Sequence, residues 1–397
     1  MLTAQEALAC ILTGIQPLGK ITVNFEHALG CVLAENIIAD EHIPPFDNSA
    51  MDGFAVYADD TTDESLMLRI VEDIPAGYVS TKVLQRGEAM SIMTGAPIPS
   101  GCDSVIQVEW IERIDTEHIQ PTRSVNRGHN IRKAGKDAQK GTVVLPTGTL
   151  IRPQEVGILA SLGKQFVTVV RPPSVALLST GDELLDMNKP LSPGKIRNSN
   201  LFVLKALLRQ VGCEVIDLGI SRDTKSELIL KIEQGLKADV LITSGGISVG
   251  SYDYVLDVCN SLGIEQQFWK VNIKPGMPIM FGKFKEKLVF ALPGNPVSTY
   301  VTFTQFVKPA LLALKGERSF SPVRVQAIVK EEITKTDGKR HYIRGILEFE
   351  DNTFTVRSTG AQVSNLLSSL SKANCLIIVP ENIESVHVGD AIMVELL

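Results

Sequence analysis

The sequence has no closely spaced pair of cysteines. Six cysteines are scattered over 397 residues, and no two of them form a CxxC or similar motif. Cys375, for example, lies beside Leu376 and Ile377 in an apolar run. This spacing excludes the usual zinc-binding motifs and the disulfide framework of a secreted protein, so we expect reduced cysteines in the core of a cytosolic protein.

Long apolar segments are also missing. No apolar run approaches the roughly 18 residues that a membrane-spanning helix requires. Gln5 and Glu6 stand where a signal peptide would need apolar residues. We therefore predict a soluble, cytoplasmic protein with no membrane partner.

The chain has no excess of basic charge. Its 39 Lys and Arg residues face 45 Asp and Glu residues, and the formal net charge is −6. Such a chain has no overall attraction for nucleic acid, so we predict no nucleic-acid partner. Any anion it binds must be held by local basic groups.

With 44% hydrophobic residues the chain can bury a large core. At roughly 150 residues per domain it should contain about two to four structural units.

The pattern of turns and apolar residues changes along the chain. Short β-type runs separated by turns fill residues 46–139, which predicts a small all-β unit. From Pro172 on, buried strands alternate with helices, which predicts a doubly wound parallel α/β sheet covered on both faces. After Ser319 a period-2 pattern returns and predicts a small β-barrel-like unit. Helical and extended segments at the N-terminus and around Pro153 account for the rest.

The loops that leave the carboxyl ends of the strands are where a parallel sheet binds its ligand. The first such loop has the sequence STGDE and contains Thr180 and Glu183. Its hydroxyls and two carboxylates suit a hard cation such as Mg²⁺ or a hydroxyl-rich ligand. Taken alone, this loop is explained more simply as a turn with a helix N-cap.

The second loop, TSGGISVG at residues 243–250, lies between a buried strand and a helix. Its glycines let the backbone approach a ligand, and its amides, with Ser244 and Ser248, could cradle a phosphate. Asp253 follows and would repel a phosphate unless a metal or a proton intervened. An acid at a helix start is also common without any ligand, because the helix dipole stabilises it.

Two further loops carry lysines and a rigid turn. Lys270 and Lys274 lie in KVNIKPGMP, and on a strand residues four apart share a face, so both ammonium groups could converge on one anion. Two solvated lysines are the alternative. The segment LPGNPVS at residues 292–298 predicts a rigid strand-to-helix turn with exposed amides. Together the four loops predict a site for a phosphorylated, metal-assisted ligand.

Two polar segments lie in the predicted all-β unit. PPFDNSAMDG, residues 44–53, is rich in turn residues, and Ser49 and Asp52 could be simple caps. IRKAGKD, residues 131–137, has the composition of a solvated surface loop. Their residues alone leave the roles of both segments open.

In their order along the chain these motifs resemble the molybdopterin molybdenumtransferases, the MoeA and gephyrin E-domain family. The resemblance covers essentially the whole chain. Four segments carry most of it, namely PPFDNSAMDGFAV, MTGAPIPSGCDSVI, SGGISVGSYDYV and LPGNPVS. Five more agree in order, namely RKAGKDAQKG, STGDELL, GKIRNSN, IKPGMP and STGAQVSNLLSSLSKANC.

The resemblance implies a homodimer of four-domain subunits. The implied domains are a discontinuous N-terminal linker domain, a small β domain, a MogA-like α/β molybdopterin-binding domain and a C-terminal β-barrel domain. On this sequence they correspond to residues 1–45 with 140–173, 46–139, 174–317 and 318–397.

The implied activity is the insertion of molybdate into adenylylated molybdopterin with release of AMP, assisted by Mg²⁺ or another divalent cation. Molybdopterin adenylyltransferase and proteins of molybdoenzyme maturation are the implied partners. Two other functions stay open, namely adenylylation of molybdopterin and a non-catalytic scaffold role. The β domains besides the α/β block argue against the first, and the retained acids and lysines argue against the second.

The resemblance also assigns roles to residues. The implied catalytic residues are Asp52, Glu183, Asp253 and Lys274, and the implied metal ligands are Glu183, Asp223 and Asp253. The implied substrate-binding residues are Thr94, Asp137, Thr180, Ser244, Gly245, Gly246, Ser248, Gly250, Lys270, Pro293, Gly294, Asn295, Pro296, Ser298 and Arg344. One departure is Met277, where many bacterial members carry a third lysine. Because a thioether cannot attract an oxyanion, we expect altered molybdate affinity or selectivity.

Overall fold

A computed structural model describes residues 1–63, 65–247, 254–320 and 322–397. The chain forms two compact units. The larger contains Met1–Ala34, Gly148–Val156 and Phe166–Leu397, and the smaller contains Glu35–Thr147 and Gly157–Gln165. In the described ranges, no helix has both the length and the apolar character needed to cross a bilayer. The division into four domains at the boundaries given above stays a prediction.

The smaller unit is built on a six-stranded sheet, so the expected small β unit is confirmed. Neighbouring residues of a strand pack on opposite faces of this sheet. Phe54 belongs to the apolar cluster on one face and Ala55 to the cluster on the other. Its strands, in spatial order, are Ser104–Gln107, Gly53–Val56, Glu88–Ile92, Leu68–Ile74, His118–Pro121 and Ile111–Arg113. Two short antiparallel pairs join Ile37–Ile38 to Val143–Leu145 and Asn48–Ser49 to Ile131–Arg132. Single 3₁₀ turns occupy Ala58–Thr61 and Val108–Trp110.

The larger unit contains the expected α/β sheet. Its first four strands are parallel, in the order Glu214–Ser221, Ser174–Thr180, Val240–Ser244 and Lys287–Leu292. Two more strands extend it beyond Lys287–Leu292: Met280–Phe284 pairs antiparallel with Lys287–Leu292, and Glu265–Trp269 pairs antiparallel with Met280–Phe284. The sequence pattern did not predict these two strands. Met280–Phe284 contains Gly282 and Lys283 and follows a proline-rich segment, which weakens its strand signal.

Helices cover both faces of this sheet because each central strand is apolar on both sides. Val175 and Leu177 pack on one face, and Ala176 and Leu178 pack on the other. The first face is covered by the helices Ala4–Leu12 and Ser199–Val211 and by the helical segment 296–314, and the second by Lys225–Gly235 and Val255–Ser261. The doubly wound architecture is therefore confirmed.

The helix ends follow local sequence rules. Thr3 and Glu6 form a capping box, with the Thr3 amide donating to Glu6 Oε2 at 2.8 Å and the Glu6 amide donating to Thr3 Oγ1 at 3.2 Å. Asn198 caps Ser199–Val211, which ends at Gly212 with φ 81°. Within the helix from Pro296, a π-helical turn at Phe303–Val307 leads into Lys308–Leu314, where Pro309 cannot donate a backbone hydrogen bond.

The C-terminal region forms a closed five-stranded barrel, as the period-2 pattern predicted. Its strands in order around the barrel are Arg340–Glu350, Thr353–Ser358, Arg324–Val329, Ala391–Leu396 and Cys375–Val379. The last of them pairs with the first, with His341 opposite Val379. Ile343, Val356, Ile377 and Val394 pack in the barrel interior. A sixth, two-residue strand, Ile273–Lys274, pairs in parallel with the start of Arg340–Glu350.

Shorter elements complete the described chain. The pair Lys20–Asn24 and Phe166–Val170 is antiparallel, and the pair Leu184–Leu185 and Ile196–Arg197 is parallel. Ile333–Thr334 pairs with Ser385–Val386. The remaining helical segments are Phe25–His27, Pro153–Ser161 and Ser368–Lys372.

Candidate active site

Three of the predicted loops begin at the same level of the α/β sheet. Ser179 is in register with Ser244, and Ser244 is in register with Leu292. Because the three strands are parallel neighbours, the loops that follow them start side by side at the carboxyl edge. The structure therefore brings the STGDE, SGG and PGNP segments together.

Gly245 and Gly246 pack directly against Thr180. A Cβ on Gly245 would lie 2.6 Å from the Thr180 carbonyl oxygen, and one on Gly246 would lie 2.8 Å from Thr180 Oγ1. Both glycines have positive φ, 98° and 68°, which other residues rarely adopt. Thr180 Oγ1 is buried and has no hydrogen-bond partner among the described residues. A buried unpaired hydroxyl at a strand end is a group that a bound ligand can satisfy.

Asn200 joins two of these loops, a role that was not predicted from the sequence. Its side-chain amide donates to Ser244 Oγ at 3.0 Å and to the Gly294 carbonyl at 2.8 Å. Gly294 in turn lies against Gly245, since a Cβ on Gly294 would be 3.7 Å from the Gly245 Cα. The available signal was the GKIRNSN segment, in which Asn198 caps the helix and Asn200 faces the loops.

The PGNP turn is held from both sides. Thr299 Oγ1 donates to the Pro293 carbonyl at 2.6 Å. The Asn295 side-chain amide donates to Ser364 Oγ at 3.0 Å, and the Val297 amide donates to the Ser364 carbonyl at 3.1 Å. Gly294 and Asn295 are exposed, Pro296 is half-buried, and Pro293 and Ser298 are buried. The turn therefore presents backbone at its tip and is fixed to the loop that carries Ser364.

Arg344 lies inside the C-terminal region. Only 1% of its surface is exposed, and burial lowers the pKa of its guanidinium. Its Nε donates to Ser369 Oγ at 3.0 Å, and its Nη2 donates to the Val363 carbonyl at 3.1 Å. These contacts place Arg344 as the support of the loop that leads to Ser364. The substrate-binding role of Arg344 stays a prediction.

Lys270 and Lys274 do not share a strand, so the interpretation that strand periodicity aligns them is wrong. Only Ile273–Lys274 is a strand, and Lys270 has φ 76°. The Lys270 ammonium lies 3.9 Å from the centre of the Trp269 ring, whereas the Lys274 ammonium lies 3.2 Å from Asp337 Oδ2. Met277 follows and is half-buried. The roles of these residues in oxyanion binding stay predictions.

Carboxylates meet at the ends of two neighbouring strands. The Asp182 amide donates to Asp223 Oδ2 and the Asp223 amide donates to Asp182 Oδ1, both at 3.3 Å. The Glu183 carboxylate lies over Gly181, where an added Cβ would be 2.5 Å from Glu183 Oε2. Glu183 and Asp223 are thus brought to one edge. Asp182, the other carboxylate of STGDE, joins them, although the family resemblance did not name it as a metal ligand.

The donor set fits a hard cation only in part. Carboxylate oxygens are the ligands that Mg²⁺ prefers, and exposed Asp182 and Glu183 leave room for coordinated water. Across the described ranges, however, no three acidic, histidine or cysteine side chains lie close enough to hold an ion. Asp253, the third predicted ligand, lies outside the described residues, as do Ser248 and Gly250.

In the smaller unit, Asp52 and Thr94 are direct partners. The Thr94 amide donates to Asp52 Oδ1 at 2.7 Å and the Thr94 hydroxyl donates to the same oxygen at 2.8 Å. These hydrogen bonds, the backbone one first, lower the pKa of the exposed Asp52 carboxyl. Two distant motifs, PPFDNSAMDG and MTGAPIP, therefore place an ionised carboxylate at a defined position.

The basic loop joins the same motif. Lys133 Nζ lies 2.7 Å from Asp47 Oδ2, and the Ala134 amide donates to Asp47 Oδ1 at 2.8 Å. The amide of the exposed Asp137 donates to the Ile43 carbonyl at 2.9 Å. IRKAGKD is therefore ordered against residues 43–49, which is more than a solvated loop requires. Asp52, Thr94 and Asp137 belong to this unit, and the other predicted residues belong to the larger one.

Comparison with known proteins agrees with the order of these motifs. Three family models match in succession, described as MoeA N-terminal region (domain I and II) at residues 2–163, Probable molybdopterin binding domain at 176–313 and MoeA C-terminal region (domain IV) at 326–397. A Haemophilus influenzae protein named molybdopterin molybdenumtransferase is 38% identical over 100% of this chain and 98% of its own length. The chain belongs to the MoeA family.

Other MoeA relatives give the same result. A Bacillus subtilis protein with the same name is 35% identical over 94% of this chain and 89% of that protein. The crystal structure of the molybdopterin biosynthesis moeA protein from Pyrococcus horikoshii OT3 has a TM-score of 0.85 and 31% identity, with 100% of each chain covered. The family resemblance found in the motifs is therefore confirmed, and the MoeA fold extends over the full chain.

Proposed function

We propose that this MoeA protein is a molybdopterin molybdenumtransferase, which inserts molybdate into adenylylated molybdopterin and releases AMP in molybdenum cofactor biosynthesis. Family membership supports the class of enzyme. The observation that carries the assignment of the site is the junction of Thr180, Gly245, Asn200 and Gly294 at the carboxyl edge of three parallel strands.

This junction suits the phosphate part of the substrate. Gly245 and Gly246 bring the backbone within contact of Thr180, and side chains larger than hydrogen would fill that space. The Thr180 hydroxyl is buried and lacks a partner among the described residues, so an acceptor oxygen on the ligand would satisfy it. Asn200 fixes the spacing of the two loops on either side of the ligand.

A divalent cation, of which Mg²⁺ is our choice, would be held by Glu183 and Asp223 with Asp253. It would neutralise charge on the pyrophosphate oxygens during cleavage. Asp182 lies beside Asp223 and adds its own carboxylate to this edge. The exposure of Asp182 and Glu183 is consistent with a cation that keeps several water ligands.

The chemistry needs no nucleophilic side chain. An oxygen of water or molybdate attacks a phosphorus of the pyrophosphate bond, the bridging P–O bond breaks, and the bridging oxygen leaves with the other phosphoryl group, so that AMP departs. Protein groups position the substrate and neutralise its charge. Lys274, with 58% of its side chain exposed, would attract molybdate in this proposal. Asp52 stays ionised because Thr94 donates two hydrogen bonds to it.

Release of AMP from purified adenylylated molybdopterin tests this proposal. The reaction is run with Mg²⁺, with and without molybdate, and with tungstate in place of molybdate. We expect AMP release that depends on both protein and molybdate. Consumption of ATP with molybdopterin in the absence of molybdate would instead show an adenylyltransferase. A folded protein that releases no AMP under any of these conditions would indicate a scaffold.

We further propose that the protein works as a cytoplasmic homodimer. Family resemblance supports the dimer, and the lack of any disulfide among its six free cysteines is consistent with a reducing compartment. Sedimentation equilibrium at several protein concentrations measures the mass of the assembly. A single species at the mass of one chain would refute the dimer.

A further inference from the structure

Asp337 binds two cationic or titratable side chains at once. Its Oδ2 lies 3.2 Å from Lys274 Nζ, and its Oδ1 lies 2.8 Å from His341 Nε2. The exposed fraction falls along this series, from 58% for the Lys274 side chain to 27% for Asp337 and 11% for His341. A single carboxylate thus connects a solvent-exposed lysine to a nearly buried histidine.

The backbone fixes this arrangement. Lys274 is in register with His341 where Ile273–Lys274 pairs with the first barrel strand. The Arg340 amide donates to the Asn272 carbonyl at 3.1 Å, and the Asn272 side-chain amide donates to the Gly338 carbonyl at 3.0 Å. The strand pairing and the side-chain hydrogen bond of Asn272 therefore hold the Asp337 loop against the segment that carries Lys274.

Other charged groups around His341 are already engaged. Lys335 Nζ donates to the Glu381 carbonyl at 3.0 Å, and Arg340 lies 3.1 Å from the Glu381 carboxylate. The groups that face His341 are thus the carboxylate of Asp337 and the ammonium groups of Lys274 and Lys335. The Arg340–Glu381 pair lies beside them on the barrel.

The charge on Asp337 opposes any anion that approaches Lys274. Burial acts to raise the pKa of Asp337, but the hydrogen bonds with His341 and Lys274 outweigh it and lower the pKa to about 2, so this carboxylate is ionised near neutral pH. Burial lowers the pKa of His341, against the raising effect of Asp337. His341 is therefore mainly neutral at pH 7, and a proton taken up by it would offset the Asp337 charge.

We propose that Asp337 and His341 are positioning residues that set the affinity of Lys274 for an oxyanion, and that His341 takes up a proton when the oxyanion binds. The inference rests on the proposed function, in which that oxyanion is molybdate. Neutral His341 leaves the Asp337 carboxylate to compete for the ammonium group. When His341 is protonated, it forms an ion pair with the Asp337 carboxylate, and the Lys274 ammonium group can then bind the anion.

The direction of the pH effect follows from linkage. A bound anion near His341 favours the imidazolium, so it raises the pKa of His341 in the complex above that in the free protein. Binding then takes up protons between these two pKa values, and affinity rises as the pH falls through this window. Since burial already lowers the pKa of the free histidine, the acid end of this window lies below about pH 6.5.

Isothermal titration of the full-length protein with molybdate, and separately with tungstate, tests the inference. Titrations from about pH 5.5 to about pH 8 cover the ionisation of histidine. Repeating each titration in two buffers of different ionisation enthalpy gives the number of protons taken up. For the unaltered protein we expect tighter binding at low pH, by about threefold over the range, and a fractional proton uptake.

Two variants separate the roles, and a third is the control. Asp337→Asn should bind molybdate about three- to tenfold more tightly at pH 8, without proton uptake, because the competing charge is gone. His341→Gln should match the unaltered protein at pH 8 but show no tightening on acidification. Glu350→Gln neutralises an exposed acid that lies 3.5 Å from Lys330 in the same barrel, and it should behave as the unaltered protein does.

Several results would overturn the inference. It fails if Asp337→Asn binds molybdate no more tightly at pH 8, or if the unaltered protein takes up no protons, a measurement that does not depend on any variant folding. If molybdate stimulates AMP release in either of these cases, the proposed function stands and only this inference is lost. If the protein binds no molybdate and releases AMP without it, both are lost.

Discussion

The side-chain amide of Asn295 donates a hydrogen bond to the hydroxyl of Ser364 at 3.0 Å. This contact joins the strand-to-helix turn of the α/β sheet to the loop that precedes helix Ser368–Lys372. The Val297 amide adds a second link to the Ser364 carbonyl. The conformation of the PGNP turn is therefore set partly by residues about 70 positions away in the sequence.

Replacing Ser364 by Ala tests this link. The Ser364→Ala protein keeps the backbone acceptor for Val297 but loses the acceptor for the Asn295 amide. We expect a loss of about 1 kcal/mol in unfolding free energy and weaker binding of adenylylated molybdopterin by about fivefold. Equilibrium titration of the substrate and urea unfolding give the two values. Unchanged substrate affinity would separate Ser364 from the site.

Arg344 should act through this loop. Arg344→Met removes the donors to Ser369 and Val363 from a buried position, and we expect it to lower the unfolding free energy by about 3 kcal/mol. Arg357→Met in the same barrel is the matched control, because Arg357 is half-exposed and lies 3.4 Å from Glu348. It should change stability by less than about 1 kcal/mol. Equal losses in the two variants would contradict the role of Arg344.

Gly246 should tolerate no side chain. Gly246→Ala combines a φ of 68° with a Cβ only 2.8 Å from Thr180 Oγ1 and 2.7 Å from Val255 Cγ2. Gly263 has a similar φ of 74° and open space around the added atom, so Gly263→Ala measures the backbone strain alone, about 1 kcal/mol. We expect Gly246→Ala to be at least twice as destabilising in urea unfolding and to reduce substrate binding. A loss no larger than that of Gly263→Ala would show that the contact with Thr180 is not tight.

We expect the negative charge of Asp52 to be required for AMP release. In Asp52→Asn the side-chain oxygen can still accept from Thr94, so we expect an unchanged melting temperature but a large loss of AMP release. Because the hydrogen bonds from Thr94 lower the pKa of Asp52, the carboxylate form persists to below about pH 4. A pH–rate profile should therefore show no loss attributable to Asp52 between about pH 5 and about pH 8. Normal turnover in Asp52→Asn would exclude the catalytic role.

The strands of the barrel and of the parallel sheet could be predicted because their burial has a simple period. Arg324–Val329 and Ala391–Leu396 direct alternate apolar residues toward one interior, and Val240–Ser244 is buried throughout. Such patterns follow from residue types alone. Backbone conformation at single residues cannot be predicted in this way. Lys270 has a positive φ and lies outside the strand, so the predicted alignment of Lys270 with Lys274 on one strand face was wrong.

Contacts between segments that are distant in the sequence could not be predicted either. Nothing local marks Asp337 as the partner of Lys274, since the pairing depends on a two-residue strand added to the barrel. Asn200 and Ser364 were missed for the same reason, because each acts on a loop about 44 to 94 residues away. Arg344 occurs in a strand whose neighbours are buried on both sides, and its own burial could be known only from the fold.

The transfer of molybdenum per AMP released tests the central claim most directly. Adenylylated molybdopterin is incubated with the protein, Mg²⁺ and isotopically labelled molybdate, and the pterin product is separated and counted for molybdenum while AMP is quantified. We predict equal molar amounts of pterin-bound molybdenum and AMP, and neither above background without the protein. Release of AMP with no molybdenum in the pterin product would contradict the account.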